Sequence, residues 1–189
     1  MLILMQVDMD SALLQGADFL PSPNFDERPG NAPPDLIVVH GISLPPGEFG
    51  GPWIDALFTN VLPLDAHPYF LQIGPVRVSS HLLIRRSGTI TQYVKFTDRA
   101  WHAGASRYQG REACNDFSIG IELEGADETP YEAAQYRALA EAIAALCRAY
   151  PSISKDRIVG HSDVAPGRKT DPGPAFDWNL ARRLIAEAV

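Results

Sequence analysis

Apolar residues in this chain come in short runs, separated by stretches rich in proline, glycine and polar residues. The period within each run predicts the element it forms. Leu36-Ile-Val-Val-His40 is a continuous β-branched run, as a buried strand requires. Val76 to Tyr93 predicts strand, turn, strand: Val78–Ile84, a turn at Ser87-Gly88, then Thr89–Val94. Ser118-Ile-Gly-Ile-Glu-Leu-Glu124 alternates apolar and polar positions, the period-two pattern of a strand. Arg157-Ile-Val-Gly-His161 is another short strand, and it too ends on a histidine.

Helical spacing marks the rest. Trp53-Ile54 with Leu57-Phe58 makes one short apolar face. The clearest helix runs from Pro130 to Tyr150, with Thr129 as cap, Pro130 at the first helical position and Glu132 completing a capping box. Tyr136, Leu139, Ile143, Leu146 and Tyr150 repeat along its apolar side. A last helix, from Trp178 to Glu187, buries Leu180, Leu184 and Ile185. Ser22 to Pro34 predicts an irregular lead-in, and Ser43 to Pro52, with three prolines and three glycines, a loop. Strands alternating with helices predict an α/β fold: a single domain over 1–189, residues 1–35 an irregular lead-in, with a central mixed β-sheet flanked by α-helices.

Composition narrows the function classes. Apolar residues make up 46% of the 189 positions, enough for a globular core. The net charge of −7 disfavours nucleic acid, because phosphate contacts need a basic surface. Arg85-Arg86 and Arg168-Lys169 remain as local basic spots able to hold a small anion. Gln6, Asp8 and Asp10 interrupt the apolar start before a signal peptide could form, and no run suits a membrane span. The expectation is a cytoplasmic monomer without membrane or nucleic-acid partners. Cys114 and Cys147, the only cysteines, form no C-x-x-C pair and fit a reducing compartment.

Among five histidines, His40 and His161 each close a predicted strand, at the sheet edge where α/β folds bind ligands. The segment His161-Ser-Asp-Val-Ala-Pro-Gly-Arg-Lys-Thr-Asp171 is a loop that would bring Lys169 and Asp171 back toward His161. His40, His161 and Asp171 make a two-imidazole, one-carboxylate set that leaves a fourth zinc position open; non-haem iron uses the same set. The competing structural reading has Asp171 capping a turn and Lys169 in solvent. Glu122 and Glu124 share one strand face. Both point to solvent if that face is open, and Glu124 is expected there; if the sheet is covered on both faces, Glu122 is a buried acid suited to take a proton from water. No G-x-S-x-G elbow offers a serine nucleophile.

These residues carry a resemblance. Pro21-Ser-Pro-Asn-Phe25, Val38-Val-His40, Ile42 to Gly50, Arg99-Ala-Trp-His-Ala-Gly104, Cys114 to Gly125 and Gly160 to Pro174 look like the AmpD-type anhydro-N-acetylmuramyl-L-alanine amidases of Gram-negative bacteria. That group is related to phage amidase lysozymes and peptidoglycan recognition proteins. The likeness runs from Pro21 to Trp178. It implies zinc held by His40, His161 and Asp171, a catalytic pair of Glu122 and Lys169, and substrate contacts near Tyr69, Arg77, Trp101 and Arg168. The implied substrate is a small anhydromuropeptide; the alternative is a muropeptide-binding module without catalysis. One position departs: the family usually has Asn after the first ligand, where this chain has Gly41. If that loss weakens turnover, Gly41→Asn is expected to raise it.

Overall fold

The computed structural model describes residues 5–189; the first four positions of the apolar start and of the lead-in lie outside the described residues. Six strands form the central sheet: β1 (Asp18–Phe19), β2 (Leu36–Ile42), β3 (Leu82–Ile84), β4 (Ile90–Gln92), β5 (Ser118–Glu124) and β6 (Ile158–Gly160). Their spatial order is β6-β2-β5-β3-β4-β1. Only the β3–β4 hairpin pairs antiparallel, so the sheet is mixed, as the sequence pattern predicts. The hairpin turn falls at Ser87-Gly88, where Gly88 has φ 87°, a region open to glycine without strain.

Ile37 and Val39 of β2 and Ile119, Ile121 and Leu123 of β5 pack against the long helix α3 (Ala133–Ala149) and the terminal helix α5 (Trp178–Ala188). On the opposite face, Leu83 and Tyr93 meet α1 (Trp53–Phe58) and α2 (Pro68–Ile73), while Leu36 and Val38 meet Ala103, Cys114, Phe117 and Val164 of α4 (His161–Val164). Both faces are therefore covered, and every residue of β5 is buried. The cysteines are free, and among the described residues no helix is long and apolar enough to cross a membrane.

Several predicted boundaries shift. The 22–34 segment is not wholly irregular: Phe25–Glu27 pairs antiparallel with Asp98–Ala100. The strand predicted from Val78 begins only at Leu82, and His161 opens α4 instead of ending β6. The long helix starts three residues later than the Thr129 signal indicated. Thr129 is engaged in a β-bridge with Ala126, and the capping box is made by Glu132 with Gln135. In α5 the buried residues are Ala181 and Ile185; Leu180 and Leu184 are only partly covered. Helix α2 carries no apolar period; its signal is His67, whose ring nitrogen accepts from the Tyr69 N–H, followed by Pro68 at the first turn.

Candidate metal centre and active site

Parallel pairing of β2 with β5 sets His40 opposite Glu122, and pairing of β6 with β2 carries the chain into His161 beside them. The loop after α4 then folds back. The Ser162 N–H donates to Asp171 O at 3.0 Å, which returns the aspartate to the start of the helix. Three atoms converge: His40 Nδ1 lies 3.0 Å from His161 Nδ1, and Asp171 Oδ2 lies 3.2 and 3.0 Å from the two nitrogens. The imidazoles are 1% and 3% exposed, and the Asp171 side chain 15%.

This set fits a metal ion. A tetrahedral ion with bonds of about 2.0–2.1 Å holds its ligand atoms roughly 3.3 Å apart, close to the observed spacing. His161 Nε2 donates to Ala103 O at 3.3 Å, which leaves Nδ1 of a neutral ring free to ligate. Burial, against the opposing pull of Asp171, brings the His40 imidazole down to about 4, so that ring is neutral at physiological pH.

Glu122 borders the same cleft and is 8% exposed, with Oε2 buried and unpaired. Burial, with Asp171 adding to it, raises its carboxyl well above the usual range; Lys169 opposes that shift. A carboxyl with its proton held this firmly is chemically suited to proton transfer. Glu124 behaves otherwise and corrects the expectation of a solvent-facing acid. It is 1% exposed, accepting from Gly50 N at 2.6 Å, Arg86 N at 3.1 Å and Arg85 Nη1 at 3.3 Å. Arg85 also pairs with Asp55, and Arg86 with Glu132, so that basic spot is occupied internally.

The cleft holds about 230 Å³, so any ligand larger than that must extend over the surface. Of the four expected substrate contacts, only Trp101 lines it, its indole N–H donating to Asp26 at 3.2 Å. Tyr69 sits on α2, packed against the apolar cluster that includes Leu83 and Tyr93. Arg77 bonds the carbonyls of Gly74 and Val76, and Arg168 bonds those of Ala103 and Ala105. Lys169 lines the cleft with the metal set.

Two residues had no expected role. His102 is buried behind His40, its Nδ1 2.9 Å from His40 Nε2. Tyr131 bonds Pro172 O, next to Asp171, at 2.9 Å and fills a slot between Gly41 of β2 and Gly125, which follows β5. A Cβ at Gly41 or Gly125 would overlap its phenol ring end. Gly41 is thus the space that Tyr131 occupies, and Asn there must displace the hydroxyl from Pro172.

A mixed sheet brings two histidines and an aspartate around one point that could hold a metal ion, beside an unpaired buried glutamate. The chain belongs to the N-acetylmuramoyl-L-alanine amidase family, whose model matches residues 30–174. It is 59% identical to the 1,6-anhydro-N-acetylmuramyl-L-alanine amidase AmpD of Escherichia coli, over 95% of this chain and 97% of that protein. A crystal structure of a selenomethionine AmpD derivative superposes with a TM-score of 0.91 at 58% identity, over 94% of this chain and 99% of that one. The amidase AmiD of E. coli, solved with its substrate anhydro-N-acetylmuramic acid-L-Ala-D-γ-Glu-L-Lys, gives a TM-score of 0.59 at 28% identity, over 85% and 65% of the chains.

Proposed function

We propose that this chain is a zinc-dependent amidase that hydrolyses the lactyl amide between anhydro-N-acetylmuramic acid and L-alanine in muropeptides, as a single domain and a monomer in the cytoplasm. The observation that carries the reading is the convergence of His40, His161 and Asp171 beside the unpaired Oε2 of Glu122. Imidazole-rich sets favour zinc over magnesium or calcium. When bound, zinc would supply Lewis acidity, polarising a carbonyl oxygen and lowering the pKa of water to about 7.

The chain's own groups do the rest. Glu122 takes a proton from the attacking water and returns it to the departing nitrogen of L-alanine. The C–N bond breaks, leaving a free carboxyl on the lactyl group and a free amine on the peptide. The Lys169 ammonium offsets charge growing on the carbonyl oxygen, a contribution worth ~3–4 kcal/mol for one such donor. Trp101 walls the cleft and orients the amide. Tyr69, Arg77 and Arg168 serve the substrate farther out, over the surface.

A binding module without catalysis has no need of a buried, unpaired acid beside a complete ligand set, which favours the enzyme. Metal content and cleavage of an anhydromuramyl tripeptide, measured before and after chelation, test the reading. Loss of cleavage on stripping and its return with zinc are expected. Cleavage by stripped protein refutes the metal role; tight binding by loaded protein without product makes the chain a binding module.

A further inference from the structure

Three hydrogen bonds behind His40 have a direction that can be worked out atom by atom. Ser118 Oγ lies 2.6 Å from Cys114 O, and a carbonyl only accepts, so the single hydroxyl hydrogen of Ser118 is committed there. At 3.1 Å from that same oxygen, His102 Nε2 must therefore be the donor. His102 is buried, and its ring bonds only Ser118 and His40, with no carboxylate partner. An imidazole so placed stays neutral and has one N–H. Its Nδ1 is consequently a bare acceptor, and His40 Nε2, 2.9 Å away, carries the hydrogen. That leaves His40 Nδ1 as a lone pair, aimed at the point shared with His161 Nδ1 and Asp171 Oδ2.

The ring's seat is built for it. An ideal Cβ at Gly120 would lie 2.7 Å from His102 Nδ1, so β5 provides both the Ser118 hydroxyl and, two residues on, the gap that admits the ring. Asn115 Oδ1 accepts from the His102 and Ala103 N–H groups at 3.2 and 2.8 Å, holding the backbone. Ala103 O in turn takes the Nε2 hydrogen of His161.

We infer that His102, oriented by Ser118 and seated over Gly120, is a positioning residue that fixes which nitrogen of His40 faces the ion. Its adjacent residue, Ala103, does the same for His161. The metal consequence rests on the zinc reading above; the tautomer does not.

Nitrogen-15 spectra of the metal-free protein separate the two. For His40 a pyrrole-like Nε2 and a pyridine-like Nδ1 are expected; a wild-type ring protonated at Nδ1 overturns the inference whether or not zinc binds. Ser118→Ala removes the acceptor for His102, so His40 should become a tautomer mixture. The zinc dissociation constant, from competition with a chelator, should rise about 10-fold, as outer partners of metal ligands typically show 10–100-fold effects. His102→Gln should weaken zinc further. Variants that melt earlier yet keep the His40 spectrum and zinc affinity show a merely structural role and overturn the inference. Wild-type protein that takes up no zinc refutes the metal reading alone.

Discussion

Glu122 and Glu124 stand two residues apart on β5, on one face of the sheet, and both are buried. Glu124 is surrounded by two backbone N–H groups and a guanidinium. Glu122 has an oxygen with no partner and an aspartate nearby that makes its ionisation harder. Burial is thus common to a structural acid and a reactive one. What separates them is whether the protein itself satisfies the charge or leaves it for a ligand.

The sharpest way to break that comparison is to neutralise each acid in turn. Glu122→Gln should cut turnover of an anhydromuramyl peptide by about 10³-fold, within the span of general acid–base effects, while the fold persists. Lys169→Ala should cost about 10²–10³-fold. Near-normal rates in either variant remove that residue from the reaction. Glu124→Gln should do the reverse. Losing one member of a buried pair costs about 3 kcal/mol in denaturant unfolding and leaves turnover per folded molecule close to wild type.

The two acids also differ in their effect on stability with pH. The raised Glu122 carboxyl means the folded state binds its proton more tightly than the unfolded chain, whose value is 4.5. Stability falls as pH rises from there to the folded value, and the penalty persists above it. Glu122→Gln lacks the penalty, so metal-free variant should be more stable than wild type at pH 7 and indistinguishable near pH 4. Equal melting at pH 7 would contradict a strained, unpaired carboxylate. The smallest effect concerns Gly41. Gly41→Asn must push Tyr131 off Pro172, so its cost should shrink in a Tyr131→Phe background, with a coupling of about 1 kcal/mol in zinc-loaded unfolding. Strict additivity would mean the slot is roomier than its geometry indicates.

Much of this was legible before any coordinates. The alternation in Ser118–Glu124 predicts a strand with the observed bounds, and His40, His161 and Asp171 do converge. Alternation cannot report what covers the polar face, however. Glu124 looks solvated in sequence because Arg85 and Arg86 lie 39 and 38 residues away and reach it only through the β3–β4 hairpin. His102 gives no local signal either; its seat is formed by Ser118 and Gly120 on β5, farther along the chain. The false helix start at Thr129 has a tertiary cause: Tyr131 is docked against Gly41 and Gly125, so the helix begins only after it.

The sheet's two outer strands have one further effect. β1 is two residues long and β6 three, and β6 turns at once into a helix. Long open edges invite pairing between copies and growth into aggregates. Here each outer strand is short, so either side offers another molecule only a brief ladder to extend.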